Sequence, residues 1–386
     1  MTIVGGGGRI GQEVALGLLK ADEVTRIVLA DVADDPGRLR VRLRKNGKVS
    51  LLRLDAREAD HLAAELAGTR LIINCAAPFA QTVEPVARAA VAVGADYLDV
   101  CDDFAATALL LDPDLDQAAR RAGVSLLTGM GSDPGTNNLL ACWYAKKLDT
   151  VEAVSLFWAV DIGELAGAAL THATAMLAGQ VPQYLASRLQ YVAGGGGEEM
   201  VVFAEPLGAC PVRYVGHPQP LTLPRHLPGL KSLTVKGAIL PAWADQLLMA
   251  QKACGLLCPE PLEGQGASVR PLELAAALWR ESARGKEPGP GVSGLRVVVT
   301  GREQGREVTY TADLVGAMGP GTGLPAAIAA RLLLAGQVAA RGVLAPEDAL
   351  APEAFLPLLL AHGARIRQTK SETVTLAAHD GEGWLA

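Results

Sequence analysis

Residues 5–19 read GGGGRIGQEVALGLL, and Met1-Thr2-Ile3-Val4 stands directly before them. Four glycines in a row suit either a flexible leader or the turn under a bound phosphate. A leader predicts polar flanks. Here Ile3 and Val4 precede the glycines, and Ile10, Val14, Ala15, Leu18 and Leu19 follow at helical spacing. Asp22-Glu23 ends that helix, and RIVLAD (26–31) reads as a second buried strand. Strand, glycine turn, helix and strand in succession make a βαβ unit. Gly6, Gly8 and Gly11 carry the dinucleotide-binding spacing: Gly6 for the tight turn, Gly8 for close backbone approach to a pyrophosphate, Gly11 for helix–strand packing. Gly5 and Gly7 fall at positions open to many residues. Arg9 and Ile10 begin the helix, where free amides and the helix dipole favour a phosphate. Asp31, 20 residues after Gly11, is placed to accept hydrogen bonds from ribose hydroxyls and favours NAD over NADP. Arg38 and Arg40 follow it and keep NADP open.

The pattern continues outward. VSLLRLDA (49–56) reads as a third strand whose exit, Asp55-Ala56, borders the adenine. LIINCAAPF (71–79) is an unbroken apolar run, as buried parallel strands are, and its exit places Ala76, Ala77 and Pro78 at the cofactor. DYLDVCDD (96–103) and VSLLTGMG (124–131) complete a doubly wound parallel sheet. In the second half VEAVSLFWAV, EEMVVFAE, CPVRYVG, SLTVKGAIL, GLRVVVTG and EVTYTADL alternate or run apolar, and REQGRE joins the last two as a hairpin. The fold class is therefore α/β, a Rossmann domain plus a second α+β domain with an open mixed sheet. The expected division is 1–135 for the dinucleotide-binding domain, 136–318 for substrate binding and dimerisation, and 319–386 for helices that return to the first domain. A second glycine run, 194–197, has polar flanks and reads as a mobile loop.

Composition narrows the function. The chain has 386 residues, net charge −6 and no apolar stretch long enough for a membrane span. The one basic cluster, GRLRVRLRKNGK (37–48), reads as an alternating strand or a solvated face, so neither nucleic acid nor membrane is an expected partner. The start lacks the features of a secretion signal, which points to a cytoplasmic protein. Six scattered cysteines read as reduced thiols, and no metal-ligand spacing occurs.

The glycine fingerprint, INCAAPF, VGADYLDVCDD, GMGSDPGTNNLLA, VGHPQPLTLPRHLPGL and GTGLPAAIAARLLLAGQVAARGVLAPE, in that order, resemble the saccharopine dehydrogenase (saccharopine reductase-like) family. The resemblance implies NAD(P)-dependent hydride transfer at a carbon–nitrogen bond of an amino acid or polyamine derivative, in a homodimer. Such chemistry needs carboxylates or an imidazole near the nicotinamide to move protons and face an iminium. Asp133, in the SDPG turn, is the first candidate, and a helix cap is its alternative role. Asp99 and His172 are the other catalytic candidates. Cys101, Asp102, Pro134, Gly135 and Asn137 are the candidates to line the substrate pocket. Asp103 suits a helix cap, and His217 in the GHPQP turn is a weaker candidate. Two other functions stay open: a reductase of a carbonyl or alkene, and a non-catalytic dinucleotide sensor.

Overall fold

A computed structural model describes residues 1–373 apart from 34, 166, 167, 259, 265, 266, 287 and 288. Residues 374–386 of the expected C-terminal segment lie outside the described residues.

Six strands, β1 (Thr2–Val4), β2 (Ile27–Asp31), β3 (Val49–Arg53), β4 (Leu71–Asn74), β5 (Asp96–Asp99) and β6 (Ser125–Leu127), build a parallel sheet. A seventh strand, Gly342–Leu344, joins it beside β6, so the order is Gly342–Leu344, β6, β5, β4, β1, β2, β3. β4 is buried throughout, because helices cover both faces of the sheet and leave no side for water. The chain winds outward from β1 to β3 and then returns to β4 on the other side of β1. That reversal opens a crevice at the carboxyl ends of β1 and β4, where this architecture binds ligands.

The helix α1 (Arg9–Leu18) turns Gly11, Val14, Ala15 and Leu18 inward. Across it lies the helix Met318–Leu334, so close that a Cβ on Gly323 would stand 2.4 Å from Glu13 Cβ. The basic segment is a solvated face rather than a strand: Pro36–Arg38 is a 3-10 turn and Val41–Arg44 a short helix, with Leu39 and Leu43 buried beneath.

The second sheet is open and mixed. Its order is Glu199–Val202, Ala209–Tyr214, Ser232–Leu240, Thr150–Asp161, Ser293–Glu303, Arg306–Gly316 and Arg367–Thr373, with Gln180–Leu185 and Arg188–Ala193 attached to Ser232–Leu240. Ser232–Leu240 and Thr150–Asp161 pair in parallel, and the other pairs are antiparallel. Trp158, Val160, Ile239, Leu295 and Leu314 turn toward the crevice and form its apolar floor. The glycines at 194–197 are pinned rather than loose. Gly194 donates to Gly179 O, Gly195 to Tyr214 O at 2.7 Å, and Gly196 O accepts from Tyr214 N. Polar flanks concealed this role because the turn closes onto a neighbouring strand by backbone bonds.

Candidate functional site

The crevice is a cleft of about 1070 Å³ running from the glycine turn to the second sheet. At the outer end, a Cβ on Gly6 would lie 2.8 Å from Ile3 O, and one on Gly11 2.4 Å from Gly5 O. Gly5 is the correction to the sequence reading. It adopts φ +73° and leaves no room for a Cβ, whose nearest atom would be Ala76 N at 2.7 Å. Gly5 therefore lets β1 pass against the β4 exit. Gly8 is the N-cap of α1 without any side-chain cap, so the first-turn amides remain open to a ligand. A Cβ on it would meet only Gly5 O, at 3.2 Å. These features fit a pyrophosphate on the helix start.

Asp31 Oδ2 accepts from Gly7 N at 3.0 Å, and Oδ1 from Ala33 N at 3.3 Å. Gly7 is thus bonded to the carboxylate, and a Cβ there would touch Oδ2 at 3.0 Å. Arg38, Asp55, Ala56 and Arg57 line the same end. The Arg57 side chain bonds Asp55 and holds its pKa down to about 2. Arg40 instead pairs with Glu13 at 2.7 Å, away from this end. Ala76, Ala77, Pro78 and Phe79 form the wall at the β4 exit. Ile10 and Arg9 line the cleft too, and Arg9 reaches the second domain: Nη2 lies 2.8 Å from Glu164 Oε1 and Nη1 2.8 Å from Glu164 O. Glu164, which sequence reasoning missed, also accepts from Ser293 Oγ at 2.6 Å and from Met318 N, which starts the returning helix.

Further in, His172 and Asp102 meet across the cleft wall, Nε2 to Oδ1 at 2.6 Å. Burial opposes the Asp102 charge, but the charge and hydrogen bond of His172 outweigh it and leave the pKa below the ordinary range. Burial likewise opposes His172 protonation, and the Asp102 charge and bond reverse it, so its pKa is raised. Phe79 meets the His172 ring edge-on at 5.7 Å and fixes its plane. Asp133 lies beside them with 4% of its side chain exposed. Its Oδ1 accepts from the Asn137 and Gln219 amides, and His217 Nδ1 stands 3.5 Å away, an ion-pair distance rather than a hydrogen bond. Burial opposes His217 protonation, and Asp133 overcomes it and raises the pKa. Gly135, not Asp133, is the N-cap of the helix Thr136–Ala145. Pro134, Gly135 and Asn137 do not line the cleft: Pro134 and Gly135 shape its turn, where Gly135 takes φ +117° and its Cβ would fall 2.4 Å from Gly131 O, and Asn137 is buried behind it, bonded to Asp133.

Two candidates lie elsewhere. Asp99 is fully buried and accepts from Tyr97 Oη (2.8 Å), Cys101 N (2.9 Å), Thr128 Oγ1 (3.1 Å) and Gly129 N (2.7 Å). Burial lifts its pKa to about 6 against those bonds, and the carboxylate ties β5 to the β6 exit instead of facing the cleft. Cys101 is also fully buried and outside the lining, with its thiol pKa pushed well up by burial and by Asp99. Alternation explains both positions: Asp102 faces the cleft, so its neighbour faces inward. Asp103 caps the helix Phe104–Leu110 through Ala105 N and Ala106 N.

Residues 1–128 match the family model described as the saccharopine dehydrogenase NADP binding domain. Residues 198–363 match that of the saccharopine dehydrogenase C-terminal domain. The fold is similar to that of apo saccharopine dehydrogenase (L-Glu forming) from Saccharomyces cerevisiae, with a TM-score of 0.69 and 14% identity over 96% of this chain and 99% of that one. The C. glutamicum DAP dehydrogenase aligns at a TM-score of 0.46 and 14% identity, over 94% of this chain and 98% of that one.

Proposed function

We infer the function from one premise: the chain belongs to the saccharopine dehydrogenase family, and is an NAD(P)-dependent oxidoreductase acting at a carbon–nitrogen bond of a small amino-acid substrate. The His172–Asp102 pair is our assignment for the proton. Its carrying observation is that this 2.6 Å pair stands in the wall of the same cleft as the glycine turn. The dinucleotide, when bound, supplies or accepts the hydride. Gly8, Arg9 and Ile10 would hold its pyrophosphate, Gly6 and Gly11 give the turn its shape, and Asp31 would take the ribose. Ala76, Ala77 and Pro78 would back the nicotinamide end. In reductive amination protonated His172 donates to the nitrogen, with Asp102 stabilising the imidazolium. In the reverse direction neutral His172 accepts the ammonium proton. Asp133 adds a second negative charge facing the iminium carbon–nitrogen group.

Asp31 and the pair Arg38 and Arg57 compete over the cofactor's second phosphate, and the Asp31 charge favours NAD. The division at residues 135 and 318 into cofactor, substrate and returning segments belongs to the same proposal, corrected at its end, where Arg367–Thr373 leaves the returning segment and pairs with the second sheet. So do a homodimer and a cytoplasmic site of action. Met200 and Val202, exposed on the edge strand Glu199–Val202, support the dimer. No helix of the described residues is long and apolar enough to cross a membrane.

The test is a fluorescence titration with NADH and NADPH, followed by assays with lysine and saccharopine for the wild type and His172→Asn. Loss of about 100-fold or more in kcat with cofactor affinity kept supports the assignment. A variant within twofold of wild type overturns it.

A further inference from the structure

The face that the second sheet turns to the cleft is built in two rows, which the strand register defines. Gly237, Trp158, Leu295 and Leu314 stand side by side on four neighbouring strands. The next row pairs Ile239 with Val160 and Ser293 with Gly316. Residues two apart along a strand share a face, and every member of the two rows except Gly237 lines the cleft. A Cβ on Gly237 would stand 2.2 Å from Trp158 Cζ2, so its missing side chain lets the indole lie across the neighbouring strand. Trp158 Nε1 is buried, and the ring offers carbon to the cleft. The one hydroxyl of the two rows, on Ser293, is already donated to Glu164 Oε2 at 2.6 Å. The helix Ala168–Ala175 adds Ala169 and Ala173 to the same lining, with Met176 just after it.

The charges of the cleft are committed elsewhere. Arg9 is held by Glu164 and Arg57 by Asp55. Asp102 is held by His172, and Asp133 by the Asn137 and Gln219 amides. Arg38 lines the ribose end. Arg365 stands past the edge of the floor, two residues before Arg367 pairs with Asp313. Among the described residues, then, a side chain that ends in an ammonium meets no carboxylate on this floor, and one that ends in a carboxylate meets no cation there. Such a charge loses water without gaining a partner. A methylene chain laid on the same residues gains with every carbon it buries.

We propose that Trp158, Val160, Ile239, Leu295 and Leu314 select a substrate whose side chain is apolar and uncharged. The amino-acid substrate then carries an aliphatic or aromatic body, and an ammonium or carboxylate at the far end of that body weakens its binding. This rests on the oxidoreductase reading above and narrows it to one class of side chain.

The test first confirms binding of NADPH or NADH by nicotinamide fluorescence. With the reduced cofactor saturating, calorimetry then follows a series of growing chain: 2-aminobutyrate, norvaline and norleucine. Beside it stand lysine, which is norleucine with a terminal ammonium, and 2-aminoadipate, which is norvaline with a terminal carboxylate. Affinity is expected to rise about fourfold with each methylene. It is expected to fall at least about tenfold from norleucine to lysine and from norvaline to 2-aminoadipate. Leu314 is only partly buried, and Leu314→Glu is expected to shrink the norleucine-to-lysine ratio at least about tenfold by giving the ammonium a partner. If that variant fails to fold, the series on the unaltered protein decides alone. A flat series, a charged probe binding as tightly as its uncharged counterpart, or a folded Leu314→Glu with the ratio unchanged overturns the proposal. So does cofactor binding without binding of any probe. Absence of cofactor binding sinks the underlying reading itself.

Discussion

Replacing Asp102 with Asn tests the proton pair most directly. The change keeps the shape of the side chain and removes the charge that raises the His172 pKa. A hydrogen bond to a charged group is worth about 1.5–3 kcal/mol. The His172 pKa should therefore fall, because burial, which favours the neutral ring, then faces only the weaker pull of Asp103. The reductive reaction needs protonated His172, so kcat/KM falls as pH rises through that pKa. In Asp102→Asn this basic limb moves to lower pH. The assay is kcat/KM between pH 5 and 9 in the reductive direction, with a parallel NMR titration of the imidazole. A limb that stays in place while the imidazole shifts would refute the role of His172 as the acid.

The same pair makes a stability prediction whose sign is fixed by the two shifts. The folded pKa of His172 is raised, so its contribution is fully present below the unfolded value of 6.5 and is lost as pH rises through the folded pKa. That of Asp102 is lowered, so its contribution is present above the unfolded value of 3.8 and is lost as pH falls through the folded pKa. Both act together between those two unfolded values. The Tm difference between wild type and Asp102→Asn should be largest in that window and shrink on either side.

Other substitutions separate the roles of neighbouring residues. Gly8→Ala should leave Tm within a degree or two and lower cofactor affinity at least about tenfold, because its Cβ meets only Gly5 O and otherwise enters the phosphate site. Gly11→Ala should lower both, with a stability loss of about 1–3 kcal/mol in urea unfolding, since its Cβ is driven into backbone at 2.4 Å. Asp31→Asn should raise the NADPH-to-NADH affinity ratio severalfold in fluorescence titrations, and an unchanged ratio would remove Asp31 from cofactor choice. Glu164→Gln should cost about 1–3 kcal/mol in unfolding free energy, because the charged acceptor of Arg9, Ser293 and Met318 is gone.

The first domain was legible because its signals are local. Alternation of apolar strand, glycine turn and helix places Gly6, Gly8, Gly11 and Asp31 without knowledge of any distant contact. Gly5 escaped that reading because its constraint is the β4 exit at Ala76, far along the chain. The strand Gly342–Leu344 escaped for a similar reason. Three residues have no periodicity of their own, and only pairing with β6 makes them a strand. Asp99 and Cys101 were misplaced by one alternation: in DYLDVCDD the acids share a run, but only Asp102 is turned to the cleft.

The inner site was less legible because it is assembled by the packing of two domains. His172 meets Asp102 across 70 positions, and Gln219 meets Asp133 across 86. A pair separated so widely in sequence leaves no spacing rule to read. Its geometry depends on how the second sheet seats against the first domain, and the structure ties the two at Glu164. That carboxylate holds Arg9 of the glycine-turn helix, Ser293 of the second sheet and the start of the returning helix at once. Arg9 stands at the same helix start that suits a pyrophosphate. Cofactor binding and domain registry therefore share one residue, and a change at Glu164 should reach the His172–Asp102 pair without touching it. The imidazole pKa in Glu164→Gln, measured beside its cofactor affinity, decides that coupling: a shift in affinity with His172 unmoved would show the two ends of the cleft to be independent.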